Sequence, residues 1–534
     1  MNAILIAKIT AILFASLFLV VLALKKPSLK DFFERASLVG IFLFALFIPI
    51  KDGFAIFGMI FAIIFFIAFR ISKRDFKLPY TVFNKPIIIY ILIVVLSFLW
   101  TYSFSDSINE GGEILYFFAF FFVVAELLNT YKRIMFIVYT FAFSITIAIF
   151  YGFFQGIFIN SLHSASRVTG LIGNWDGYPV QISYGIVLFL SLYMLKFNGT
   201  KINKINKINK IGELGKLVQL DELELHNLNN QINQVNREGA SGIYDGFPLN
   251  NQINQVDKSD KNKYAEYKLT LSGIIFHIKE LYAKIVNNKV IRNSLISIII
   301  FTGLISIILS KARSAWIGVF LGIFIIMFLK SKKVFVTALI IIFIFNAGFL
   351  YASKSFRSRI FAMFNPQIYL CEVKGHGDIE SHIALVESAA AVFFKHPLTG
   401  VGVGAFSKYF NTHKNVHFPY YYNPKTGEKK YDTYDNWPEN GYMQTLAETG
   451  IFSFIVLMWL FFLGLKEPIE LYINSKDVFV KKMSIMTAGM SMVFYGSFIG
   501  ISNMSNDQLT DLWLLFLAIF ASVSNMSKNS GKDY

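Results

Sequence analysis

Long apolar stretches recur along almost the whole sequence, and they limit the fold more than any motif does. Residues 53–69, 114–129, 314–329, 334–350 and 508–525 contain no Lys or Arg. Each has about the length, roughly 17–25 residues, that a helix needs to cross a hydrocarbon core. Only 16% of residues are charged and 55% are hydrophobic, whereas soluble domains carry about a quarter charged residues. The expected fold is all-α, a polytopic transmembrane bundle of about 12–13 helices with one large extracytoplasmic loop. The expected segments are 3–24, 37–50, 53–70, 86–103, 114–130, 134–157, 179–196, 292–310, 314–330, 334–353, 441–465, 482–502 and 508–526.

The formal net charge of +16 would suggest nucleic acid in a soluble protein. In a membrane protein, Lys and Arg gathered in cytoplasmic loops explain it, so no nucleic-acid partner is expected. Lys25, Lys26, Lys30 and Arg35, then Lys73, Arg74 and Lys77, then Lys132 and Arg133 mark one side as cytoplasmic. Lys330, Lys332 and Lys333, with Lys476, Lys481 and Lys482, mark the same side later in the chain. The opposite side carries Asp106, Glu110, Glu113, Asn503 and Asp507. The single cysteine, Cys371, rules out an intrachain disulfide. The stretch 3–24 runs into Lys25 and Lys26 without a small-residue cleavage site, so it reads as an anchor helix and not a signal peptide.

Two loops are long. Residues 197–291 fall on the basic side and contain the run Ile202–Lys210 (INK three times) and the heptad NNQINQV at 229–235 and 250–256. Such Asn/Gln/Lys-rich repeats bury no core, and a low-complexity cytoplasmic insertion is expected. Residues 354–440 fall on the outer side, where five histidines, a Tyr cluster at 420–422 and Trp437 suggest a folded polar element. The expected organisation is an N-terminal helix and loop (1–36), a first helix block (37–196), the insertion (197–291), central helices (292–353), the outer loop (354–440) and C-terminal helices (441–534).

Three outer-face features carry chemistry. Lys311 and Arg313 sit in a short turn, Leu309-Ser-Lys-Ala-Arg-Ser-Ala-Trp316, on the side where the charge rule disfavours cations. An Arg placed there suits an anionic partner; the plainer alternative is an Arg reaching the headgroups from a helix end. Arg167, in Arg167-Val-Thr-Gly170, would join Arg313 in gripping a diphosphate through bidentate guanidinium forks. Alone, Arg167 is an ordinary loop cation. In Pro438-Glu-Asn-Gly-Tyr-Met-Gln-Thr-Leu-Ala-Glu-Thr-Gly450, Asn440 is an expected N-cap. Glu439, just outside that helix, could take a proton from a sugar hydroxyl or simply complement the helix dipole. The segment His396-Pro-Leu-Thr-Gly-Val-Gly-Val-Gly404 looks like a phosphate loop only superficially, because no Lys-Ser/Thr follows. The histidines have no metal-ligand spacing, so no metal is expected.

Together these features resemble the bacterial O-antigen ligase/polymerase superfamily of integral membrane glycosyltransferases. The resemblance lies in the Arg167-x-x-Gly loop, the Ser-x-x-Arg-Ser-Ala-Trp316 turn, the His396-Pro-Leu-x-Gly-Val-Gly-x-Gly-x-Phe406 segment and the Asn440-x9-Gly450 helix start. It covers most of the chain from about residue 37, which makes 3–24 an extra helix. It implies a bacterial inner-membrane enzyme that moves a glycan from a polyprenyl-diphosphate carrier to a glycan or lipid acceptor. Arg167 and Arg313 would hold the diphosphate, and the residue before the helix-start Asn would activate the acceptor. No ATP, metal or other cofactor is implied, because the carrier supplies the activation.

This sequence departs from the ligase pattern at two positions. Ligases carry His where Glu439 stands, and a further Arg expected ahead of the His-Pro turn is His382. Ligation and repeat-unit polymerisation therefore both stay open. The competing class is a transporter or flippase of lipid-linked glycans, which would favour mid-membrane ionisable residues and repeated broken helices.

Overall fold

The computed structural model describes residues 28–159, 168–174, 177–194, 288–352, 378–413, 420–422, 429–431, 438, 440–500 and 507–530. Segment 3–24, Cys371, Arg167, Glu439 and the repeats of the insertion lie outside the described residues. The chain divides into two compact units, residues 1–195 with 296–534, and residues 196–295. Of the second unit, residues 288–295 are described, and they are helical from Lys289.

Among the described residues, the fold is all-α apart from one short hairpin. Helices α1 (Leu29–Phe47), α2 (Asp52–Lys73), α3 (Asn84–Ser97), α4 (Phe104–Leu127), α5 (Tyr131–Phe154) and α6 (Gly177–Met194) come first. There follow α7 (Lys289–Ser310), α8 (Arg313–Lys330) and α9 (Lys332–Ala352). The outer loop contributes α10 (Asp378–Lys395), α11 (Phe406–Thr412) and the antiparallel strands β1 (Tyr420–Tyr422) and β2 (Lys429–Tyr431), with Tyr420 opposite Tyr431. The chain closes with α12 (Gly441–Asn474), α13 (Val478–Ser497) and α14 (Asp507–Ser530). Among the described residues, eight helices are long and apolar enough to cross a membrane.

Two helices start eight or more residues earlier than hydropathy alone indicates. Helix α1 begins at Leu29 and not near 37, because the Ser28 hydroxyl accepts from the Asp31 N–H at 3.2 Å and caps the charged turn. Helix α4 begins at Phe104 and not near 114, so Glu110 and Glu113 are helical. The Ser103 hydroxyl donates to Asp106 at 2.6 Å, and acidic groups in a first turn complement the helix dipole. Helix α12 runs past the expected 465 to Asn474, passing through Pro468.

Helix α14 is the buried axis. From Leu512 to Val523 almost every residue is buried, as expected of a helix apolar on all sides. Its Trp513 stacks on Phe494 of α13 with ring centroids 4.4 Å apart. The Trp513 indole N–H donates to the Ser491 hydroxyl at 3.1 Å, which in turn donates to the Gly464 carbonyl at 2.9 Å. Elsewhere small residues bring backbones together, the usual way helices associate in lipid. A Cβ on Gly318 of α8 would lie 2.3 Å from the Ser497 hydroxyl and 2.7 Å from the Val493 carbonyl of α13. Buried hydroxyls and amides bridge other helices: Ser37 donates to Ala62 O, Ser522 to Ala125 O and Gln181 to Ile48 O.

The two ends of the bundle differ. At the basic end, buried Arg70 pairs with Glu126 at 3.1 Å and Asp75 at 3.4 Å, and Arg133 pairs with Glu34 at 2.8 Å. At the other end, the α3–α4 turn, the α7–α8 turn and the start of α12 come together with part of the outer loop.

Candidate functional site

The start of α12 organises this opposite end. The Asn440 side chain accepts from the Met443 N–H at 3.1 Å, so Asn440 caps the helix as its sequence position suggests. Further along, Gly450 has φ 76° and ψ −176° and interrupts the helix. Its left-handed backbone lets it pack directly on Leu398, whose carbonyl oxygen would lie 2.3 Å from a Cβ at that position.

Into this break fits the segment 396–406. Backbone N–H groups of Val401 and Gly402 donate to the Ala447 and Glu448 carbonyls at 3.0 and 2.8 Å, and the Ile451 N–H donates to the Pro397 carbonyl at 2.9 Å. The Gly404 N–H donates to the Glu448 carboxylate at 3.0 Å. From its other side the α3–α4 turn grips the same segment. Trp100 donates its indole N–H to Thr399 O at 2.9 Å, Tyr102 donates its N–H to Val401 O at 2.9 Å, and the Ser107 hydroxyl donates to Val403 O. The amides of this glycine-rich loop are thus turned onto protein acceptors. A phosphate cradle needs them free, which is why the likeness to a phosphate loop is superficial.

Beyond the loop, α11 contributes Tyr409, whose hydroxyl lies 3.0 Å from His396 Nε2. Its ring stacks on His413 at 4.1 Å, and Tyr102 meets it edge-on at 5.2 Å. Burial raises the pKa of the Tyr409 hydroxyl, so it stays protonated at neutral pH.

The cationic turn lies nearby at the same end. Lys311 links α7 to α8 with φ 61°, a left-handed conformation rare outside glycine. Arg313 is half-buried at the first position of α8. The adjacent Ser314 packs on Gly500, and Phe498, two residues earlier, covers Gly441 at the start of α12. The short helical turn Phe498–Gly500 therefore stands beside both Arg313 and the Asn440 cap. Lys311, Arg313 and Asn440 are in this way gathered at one end of the bundle. The backbone at His382 lies within α10.

Sequence reasoning missed Glu448. It is 3% exposed, and its carboxylate accepts from Gly404 N–H and, at 2.9 Å, from Gln444 Nε2. The signal was present: Glu448 is the one charged residue of the expected span 441–465, and such a residue marks a candidate functional position. Among the described residues, no group of three or more His, Cys, Asp or Glu side chains could hold a metal ion.

No curated protein matches the chain. Residues 298–458 match the family model Wzy_C, described as O-Antigen ligase. That span contains the cationic turn, the 396–406 loop and the Asn440–Gly450 helix start, so the match falls on motifs that carry the resemblance and supports the O-antigen ligase/polymerase superfamily.

Proposed function

We propose that this chain is a glycosyltransferase of the bacterial inner membrane that moves a glycan from a polyprenyl-diphosphate carrier to an acceptor, as a surface-polysaccharide ligase or repeat-unit polymerase. The observation that carries the reading is the family match over 298–458. The gathering of Lys311, Arg313 and Asn440 at one end of the bundle supports it.

In this mechanism the Glu439 carboxylate takes the proton of an acceptor hydroxyl, and the oxygen attacks the anomeric carbon of the carrier-linked sugar. The new glycosidic C–O bond forms as the bond to the diphosphate oxygen breaks. The diphosphate leaves with that electron pair, and Arg313, Lys311 and Arg167 neutralise its growing charge. Asn440 holds the helix start beside Glu439, and His382 takes a secondary place along the donor. No nucleotide or metal enters, since the diphosphate is already an activated leaving group.

The test is deletion of the gene in its host, with surface glycolipids resolved on a gel beside strains complemented with wild-type chain or Glu439→Gln. Loss of the long ladder with one repeat still attached identifies a polymerase. Loss of all repeats with carrier-linked polymer accumulating identifies a ligase. An unchanged ladder in the deletion strain overturns the proposal.

A further inference from the structure

We propose that Glu448 is a positioning residue of this site, its buried carboxylate clasping the 400–406 loop to the first half of α12 and so holding the Asn440 helix start. The consequence for catalysis rests on the transferase reading, whereas the clasp itself does not.

A carboxylate inside an apolar bundle is costly unless donors surround it. Glu448 meets that condition with donors from two elements. Gln444, one helical turn before it, donates to Oε1, and Gly404 donates its N–H to Oε2. Attachment of the loop as such does not need this group. Residues 397–402 are already tied to α12 by the backbone bonds through Pro397, Val401 and Gly402. The carboxylate fixes what lies beyond them, the 404–406 corner that launches α11 and its Tyr409–His413 pair. Gly404 also packs between Asp106 and Glu110 of α4, where a Cβ would lie 2.8 Å from the Asp106 carbonyl. One side chain therefore locks the corner at which α4, the loop and α12 meet, two helical turns after the Asn440 cap.

The hydrogen-bond polarity supplies a specific test. A glutamine side chain has one acceptor oxygen, so E448Q either turns an NH2 toward the Gly404 N–H or leaves it only a neutral acceptor while the Gln444 amide turns its buried oxygen toward position 448. Exchanging the pair, as E448Q/Q444E, restores the pattern: the amide now at position 448 accepts from Gly404 and donates to the carboxylate now at position 444. Both variants would be purified as full-length chain, and amide hydrogen exchange read on peptides covering 402–408. E448Q is expected to speed exchange there roughly tenfold to a hundredfold, the scale of losing a hydrogen bond to a charged group. The swap is expected to return it to within about threefold of wild type. In the deletion strain, E448Q should shorten or erase the glycan ladder and the swap should restore it.

Unchanged exchange in E448Q overturns the clasp. Restored exchange without a restored ladder overturns the positioning role, because a carboxylate at 448 itself is then required by the reaction. If E448Q fails to accumulate, recovery of protein level and ladder by the swap supports the proposal, and no recovery overturns it. A deletion strain that keeps its ladder overturns the transferase reading instead, and the exchange data alone then judge the clasp.

Discussion

Lys311 allows strain and function to be separated at a single position. At φ 61°, an L side chain costs about 1–2 kcal/mol relative to the right-handed region, a penalty glycine escapes. Glycine loses about 0.4–1 kcal/mol through its freer unfolded chain. Lys311→Gly and Lys311→Ala remove the same cation and whatever contacts it makes, so their difference isolates the backbone. Lys311→Gly should be the more stable by about 1 kcal/mol, near a fivefold change in the unfolding equilibrium. Over 534 residues the matching melting shift is only about 1 °C. Stepwise SDS titration in mixed micelles, followed by Trp fluorescence, is therefore the better assay. If the cation serves the diphosphate, both variants lose the glycan ladder equally despite their unequal stability. An alanine variant as stable as the glycine variant would refute the strained turn. A ladder retained by Lys311→Gly but lost by Lys311→Ala would refute the role of the charge.

Three further outcomes follow from packing. Gly318→Leu should destabilise by about 1–3 kcal/mol or more, because α8 and α13 touch backbone to backbone there; the same SDS titration measures it, and an unshifted midpoint refutes the seam. Gly402→Ala must accommodate φ 101° and a Cβ 2.2 Å from the Thr101 hydroxyl oxygen, so trypsin should cut at exposed Lys395 and Lys408 several-fold faster than in wild type, and equal cutting counts against the close approach. Arg70→Ala leaves Glu126 and Asp75 without their buried fork and should cost about 1–3 kcal/mol, less than a fully buried pair because both carboxylates are partly exposed; Arg70→Lys should recover only part, since Lys lacks the fork.

The apolar runs made the helices legible, since burial and length are local properties of a run. The ends of helices were harder to read. Helices α1 and α4 extend through charged first turns because Ser28 and Ser103 hydroxyls bind the acidic residue three positions on, and hydropathy counts those charges as loop. The cap at Asn440 was readable because capping is local. Glu448 was quoted within the same motif yet given no role, because its partner Gly404 lies 44 residues away and nothing local pairs them. The outer-loop helices α10 and α11 were equally hidden, since only packing against α12 makes their short amphipathic pattern a buried face.

The glycine loop shows how the parts of the site divide their work. The absence of a following Lys-Ser/Thr already set the 396–404 segment apart from a phosphate loop, and the amides of 401–404 are consumed by Ala447, Glu448 and the Ser97 hydroxyl. Under the transferase reading, the grip on a diphosphate must then come from side-chain cations, and Ser314, next to Arg313, packs on the Phe498–Gly500 turn that also covers Gly441 beside the Asn440 cap. Guanidinium forks suit that task better than ammonium groups because they bind phosphate oxygens in pairs. Arg313→Lys should therefore lose most of the ladder although it keeps the charge, while protein level and SDS stability hold. A full ladder from Arg313→Lys would show that charge alone suffices there, and would shift the bidentate role to Arg167.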